Sequence, residues 1–265
     1  PLLQLSLCYR NISPGYYAPE SNSFTEKSGV RNERGFYFGL ETFPLKYLKI
    51  NLYIDIYKFP WLRYYSTSPG RGNDILVKAE LKPRKIFQLQ FLYKSERRLS
   101  KENQQLRTNL IPAMINERSS RYMLQSVYDV SDKLSLKARV EIKSYKTEKS
   151  TKLKKGMFIS HDIRLNLMKG NTRFNLRYAI FDIPDWENRI YVYENDVLFH
   201  FETPLHYKRG IRFYLNASFR IMEIFRLYFK YSRTAYTSLH SSGTGADHWE
   251  GDKTDELRAQ IVLKL

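Results

Sequence analysis

Five histidines, His161, His200, His206, His240 and His248, are spread through the 265 residues, and none stands in a His-x-His or His-Glu-x-x-His spacing. Such spacings are the local signal of metal ligation, and without one no metal site and no cofactor is expected. Ser238, His240, Asp247 and His248 share one stretch and hold the residue types of a hydrolytic set. No Gly-x-Ser-x-Gly elbow accompanies them, and no catalytic residue is assigned. Asp182, Asp185, Glu187, Glu194 and Asp196 crowd another stretch. Their spacing matches no twelve-residue calcium loop, and a solvated acidic loop is the simpler reading. Gly70-Arg71-Gly72 follows Ser68-Pro69 and reads as a turn, not as a phosphate cradle. No enzymatic activity is expected.

The basic residues are more regular. The chain carries 44 Lys and Arg against 27 Asp and Glu, a net charge of +17. Many of the cations recur at every second position: Lys49, Lys137, Arg139, Arg173, Arg177, Arg212, Arg226 and Arg258, with Lys78, Lys143, Arg164, Arg220 and Lys230 beside them. Such a face could favour anions in a wet interior or bind an acidic polymer. It could equally be neutralised across adjacent strands, with contacts from the loops to anionic lipopolysaccharide. A soluble nucleic-acid binder would place its aromatics as a stacking platform, whereas here they gather near strand ends.

The elements that carry these residues have period two almost throughout. In residues 47–57, Leu48, Ile50, Leu52, Ile54 and Ile56 face one way and Lys49, Asn51, Tyr53, Asp55 and Tyr57 the other. Residues 134–144 repeat this with Leu134, Leu136, Ala138, Val140 and Ile142, as do 211–220 with Ile211, Phe213, Leu215, Ala217 and Phe219. Weaker versions occupy 2–10, 34–43, 74–82, 86–95, 120–129, 157–168, 172–181, 224–232 and 255–265, which makes twelve candidate strands. Soluble strands usually have about 5–6 residues, and a tilted bilayer crossing takes about 9–11. The lengths fit the second case. A transmembrane helix is excluded, because no stretch of 18 apolar residues exists.

The connections alternate short and long. Residues 44–46, 83–85, 131–133, 169–171 and 222–223 are tight turns, and between them fall 11–33, 58–72, 97–118, 145–155, 184–209 and 237–254. Outer-membrane barrels have short periplasmic turns and longer extracellular loops. Counting 190–202 as a thirteenth strand would break that order. The stretch 184–209 is therefore expected to be one extracellular excursion, with or without its own hairpin. Residues 95–110 are polar and free of Gly and Pro; they read as a flexible loop, with a short helix as the alternative.

The expected fold is thus an all-β, antiparallel transmembrane barrel of about 12 long strands in this chain, alone or as part of a larger barrel. Its lipid face would include Ile50, Leu52, Ile54, Leu136, Val140, Phe213 and Leu215, and its interior would be basic. Aromatic girdles mark the edges of membrane barrels, and Tyr47, Tyr57, Trp61, Tyr64 and Tyr236 are the candidates. His161 falls on the apolar side and is expected to face lipid or its interface. The single cysteine, Cys8, forms no intrachain disulfide. The chain opens at Pro1 in a strand-like run, which reads as the C-terminal piece of a longer protein. The rival expectation is a soluble or surface-attached all-β binding protein with a basic face.

Several phrases carry a family resemblance: Tyr9-Arg10-Asn11 with Pro14-Gly15-Tyr16-Tyr17 and Ser23-Phe24; Phe59-Pro60-Trp61-Leu62-Arg63-Tyr64; Tyr193-Glu194-Asn195-Asp196-Val197-Leu198; and Arg209-Gly210-Ile211-Arg212. Together they resemble the C-terminal barrel region of Bacteroidota helix-hairpin-helix (ComEA-like) domain proteins, over essentially the whole chain. The resemblance implies the bacterial outer membrane as location, with outer-membrane lipid and lipopolysaccharide as partners. It also implies upstream helix-hairpin-helix repeats that would bring DNA, or another anionic polymer or solute, to the barrel. No DNA-contacting residue transfers to these 265 residues. The ending, Ile261-Val262-Leu263-Lys264-Leu265, departs from the aromatic terminal residue common in outer-membrane barrels.

Overall fold

The computed structural model describes residues 2–18, 24–26, 29–62, 66–101, 113–237, 241–242 and 249–263. Nine strands come first: β1 (Leu3–Ile12), β2 (Glu33–Leu45), β3 (Leu48–Phe59), β4 (Gly70–Arg84), β5 (Phe87–Lys101), β6 (Met114–Asp129), β7 (Leu134–Thr147), β8 (Lys154–Leu167) and β9 (Thr172–Ile183). Two short strands follow, β10 (Ile190–Tyr191) and β11 (Leu205–His206), then β12 (Lys208–Arg220) and β13 (Phe225–Tyr236). The chain closes with β14 (Ser241–Ser242), β15 (Trp249–Glu250) and β16 (Lys253–Leu263).

Twelve strands form one sheet in the order β1-β2-β3-β4-β5-β6-β7-β8-β9-β12-β13-β16. Every pair with a defined register is antiparallel. β10 pairs with β11, and β14 with β15, as separate two-stranded sheets. The fold is therefore all-β, and each of the twelve expected strands is one of the twelve in the sheet. Residues 190–202 do not add a spanning strand, since β12 pairs directly with β9.

The alternation follows from the register. Ile163, Leu176, Leu215, Tyr231 and Leu257 face one another in succession across β8, β9, β12, β13 and β16. One residue along, Asp162, Arg177, Tyr214, Ser232 and Glu256 make the matching row on the opposite face. A one-residue slip would exchange the two faces. The apolar face is the exposed one: Leu136, Val140, Ile163, Phe213, Leu257 and Ile261 are all solvent-accessible. Most buried side chains lie on the polar face, which is called the inner face below.

Two segments are more regular than expected. β5 continues to Lys101, so residues 95–101 are strand, and only the rest of the expected loop 95–110 lies outside the described residues. Arg98 donates from Nε to Glu117 of β6 there, an inner-face pair that extends the ladder. Gly70 to Gly72 begin β4 and are not a turn. A Cβ on Gly72 would come within 2.5 Å of the Tyr57 hydroxyl, so the glycine makes room for a ring lying on the neighbouring strand.

The contacts divide the chain into two units: residues 1–81, 92–122 and 144–153, and residues 82–91, 123–143 and 154–265. In the first, Arg10 organises the inner face. Its Nε donates to Glu33 Oε1 at 2.5 Å, and Nη1 and Nη2 donate to both Asp55 oxygens at 3.0 and 2.9 Å. A Cβ on Gly35 would lie 2.5 Å from the Arg10 Cζ, so this bidentate geometry depends on glycine at that position. Asn32, at φ 54°, clamps two connections together. Its Nδ2 donates to the Trp61 carbonyl, and the Trp61 N–H donates back to Oδ1, each at 2.9 Å.

Candidate functional site

The second unit holds the most developed side-chain constellation. It is built where the connection between β9 and β12 turns back onto the inner face. The solvated reading of the acidic stretch fails at two of its five residues: Glu194 is fully buried and the Asp196 side chain is 1% exposed, whereas Asp182 stays open to solvent. The physical reason is charge. The inner faces of β12, β13 and β16 present Arg212, Lys230 and Arg258, and carboxylates of the strap neutralise them.

The strap, residues 184–207, is held first by apolar packing. Phe158, Ala179, Phe181 and Ile183 of β8 and β9 bury Ile190 and Val192, with Tyr207 and Tyr236 packed alongside. His206 sits edge-on between Phe158 and Phe181, its ring centroid 4.7 and 5.2 Å from theirs. Burial here, with Arg212 and Arg177 nearby, pushes the His206 pKa down to about 3. The imidazole is therefore neutral at any physiological pH.

Deeper along the wall the contacts become ionic. Arg177 grips Asp162 through Nε and Nη2 at 2.5 and 2.8 Å and donates from Nη1 to the Tyr193 carbonyl at 2.8 Å. Arg212 donates from Nε and Nη2 to the two Glu194 oxygens, both at 2.8 Å. Lys230, fully buried, donates to Asp196 at 3.0 Å and Glu202 at 2.5 Å, with Glu194 at 3.7 Å. Arg258 joins Asp196 and reaches Glu202 at 3.1 Å. Hydrogen bonds from Lys230 and the Val197 N–H hold the Asp196 carboxyl below the usual carboxylate range, against its own burial.

The strap turns at Val197–His200, where Phe199 has φ 66° and its side chain is 89% exposed. The turn borders a cavity of about 430 Å³ lined by Arg173, Asn175, Asn216, Arg220 and Arg226 together with Asn195 and His200. Arg220 and Arg226 are direct cross-strand neighbours. Like charges placed directly opposite are destabilising unless an anion or water separates them. The cavity is polar and cationic, and lies on the inner face near the short turns after β8 and β12.

The expected basic interior is therefore mostly compensated. Of the eight cations singled out above, Lys49 pairs with Glu41, Lys137 and Arg177 with Asp162, Arg139 with Glu141, Arg212 with Glu194 and Arg258 with Asp196. Arg173 donates to Asn166 Oδ1 at 3.1 Å. That leaves Arg173 and Arg226 without a carboxylate among the described contacts. Lys230, Glu194 and Glu202 emerge as central. Glu194, Asp196, Arg212 and Lys230 stood out in the sequence by type alone, and only their pairing was hidden.

On the outer face, Ile50, Leu52 and Ile54 share the side of Ile56, which is 57% exposed. Leu136, Val140, Phe213 and Leu215 line the corresponding side of β7 and β12, with His161 beside Tyr178. Among the girdle candidates, Tyr47 and Trp61 are exposed. Tyr57 is not: at 6% exposure it lies on the inner face against Gly72 and Phe59. Tyr236 also turns inward, edge-on to Phe181 at 6.0 Å. Both belong to the parity of their strand's inner face, which outweighs the tendency of tyrosine to sit at an interface. Tyr64, Ser238, His240, Asp247 and His248 lie outside the described residues.

No family model matches the chain, and no curated protein matches it either. Among solved structures the sheet is similar to the closed form of the ferric-catecholate import receptor Fiu from Escherichia coli, at TM-score 0.47 and 8% identity over 87% of this chain and 45% of Fiu. A FadL homologue from Pseudomonas aeruginosa gives 0.41 and 12%, over 86% of this chain and 65% of that one. The KdgM porin, solved with disordered oligogalacturonate, gives 0.31 and 10%, over 88% and 94%. The chain spans about half the length of the Fiu receptor.

Proposed function

We propose that this chain forms the wall and internal strap of a bacterial outer-membrane β-barrel that is not an enzyme and that passes or binds an anionic solute. The exposed apolar face supports the membrane. Leu5, Leu7, Leu136, Val140, Met157, Ile163, Ile180, Ile211, Leu257 and Ile261 all stand open on it. Apolar patches on soluble monomers rarely exceed a few hundred Å², whereas a lipid-facing wall requires such a band. The strap supports a selective interior. Its carboxylates cover Arg212, Lys230 and Arg258, its Tyr193 carbonyl caps Arg177, and Arg173, Arg220 and Arg226 are left around a polar cavity. Arginines in that position favour anions over cations.

The observation that carries the reading is the buried strap-to-wall ion network on the inner face of an outwardly apolar sheet. Separated membrane fractions and gel mobility of unboiled against boiled protein test the first half. A heat-dependent shift in the outer-membrane fraction is expected, and a soluble protein without a shift would establish the rival surface-binding reading instead. Planar-bilayer recording tests the second half: anion-preferring conductance or anion-dependent block is expected, and cation preference would remove the anionic solute.

A further inference from the structure

Three cations lie in a row across the outward face of the first unit. Arg34 of β2 is directly opposite Lys58 of β3, and Lys58 is directly opposite Arg71 of β4. The pleat puts them on the side of Ile54, Ile56 and Ile75, opposite to Asp55 and Tyr57. Like charges directly opposite on adjacent strands repel, so nothing within the sheet favours this row. Arg34 donates from Nε to Asn11 at 2.8 Å; among the described contacts, none of the three meets a carboxylate.

The row borders a cavity of about 1290 Å³, and Arg97, Arg118 and Lys146 line the same cavity. Its two carboxylates are already engaged. Glu117 accepts from Arg98 and from the Tyr145 hydroxyl at 2.7 Å, and Glu148 accepts from Asn116 Nδ2 at 2.8 Å. In the second unit, by contrast, outward arginines are balanced: Arg209 by Asp182 and Arg233 by Asp255. Directly below the cations, toward the middle of the strands, the cavity wall is Ile54, Ile56 and Ile75. The cations all sit at strand ends that lead into the long connections, the side that faces outward in outer-membrane barrels.

A cationic rim above an apolar wall fits one class of molecule. Guanidinium groups grip phosphate oxygens in pairs, and the isoleucines accept hydrocarbon. We infer that this outward surface binds a phosphorylated, multiply acylated glycolipid of the outer leaflet. Its phosphates bridge Arg34, Lys58 and Arg71, and an acyl chain lies along Ile54, Ile56 and Ile75. The inference rests on the membrane reading above.

Native mass spectrometry of the detergent-purified full chain tests it, with bis-phosphorylated lipid A and its dephosphorylated form as probes. The phosphorylated lipid is expected to bind at least tenfold more tightly than the dephosphorylated one. The double variant Lys58→Gln/Arg71→Gln is expected to lose at least tenfold, and Lys46→Gln, at the opposite end of β3, nothing. Equal binding of the two lipids, or wild-type binding by the double variant, overturns the site. Each sample is also run unboiled and boiled, so loss of the heat shift in the wild type overturns the membrane reading separately. A double variant that keeps the shift while losing the lipid supports the site.

Discussion

Lys230 is fully buried and has three carboxylates in reach, Asp196, Glu202 and Glu194. Removing one partner of a buried ion pair leaves the other charges uncompensated, at a cost of about 3–5 kcal/mol. Lys230→Met is expected to lower the stability of the assembled protein by about that much, read as the urea midpoint at which the heat-resistant gel form disappears. Arg233→Met removes an exposed pair with Asp255 and is expected to leave the midpoint unchanged, because exposed pairs contribute little. His206 acts through pH. Its pKa of about 3 lies below the ordinary 6.5, so the unfolded chain binds the extra proton first. The contribution of His206 is therefore full above about pH 6.5 and falls as pH drops toward 3, with a limiting slope of about 1.4 kcal/mol per unit. His206→Phe is expected to flatten that slope in the same urea assay run from pH 7 to pH 4.

At the scale of elements, the strap is the part that acts apart from the wall. Replacing residues 190–206 by a short Gly-Ser link removes Glu194, Asp196 and Glu202 together and uncovers Arg212, Lys230 and Arg258. A larger single-channel conductance and a stronger anion preference are expected in planar bilayers; unchanged conductance would mean that the strap lies outside the conducting path. The twelve strands were legible because period two needs only the order of residue types, as in Ile54, Asp55, Ile56 and Tyr57. The strap was legible as an interruption of the alternation, and its acidity was plain. Its descent onto the inner face was not, because Asp196 finds Lys230 and Arg258 across 34 and 62 residues. Pairing at that separation follows from strand order, which local pattern does not encode. Tyr57 and Tyr236 show the reverse limit: residue type suggested an interface, while parity set them inside.

For the whole molecule, the expectations of an outward apolar band and an inward polar face describe two surfaces of different chemistry. The outer surface is generic over most of its length and becomes specific where Arg34, Lys58 and Arg71 align. The inner surface is specific nearly everywhere, since most of its cations already have an assigned carboxylate. Substitutions are therefore expected to divide by parity. An inner-face change is expected to alter ion preference or stability, and an outward change at the cationic row to alter lipid retention.

The strap's partners also impose an order of events. Residues 190–206 precede β12 in the chain, yet the cations that neutralise them stand on β12, β13 and β16. On the proposed reading the strap is made before its counter-charges, and its neutralisation is expected to be complete only once β16 has docked and delivered Arg258. An assembly stalled before β16 would hold Asp196 and Glu202 with Lys230 as their counter-charge but without Arg258, and it is expected to be cut by protease within residues 190–206 faster than the finished protein.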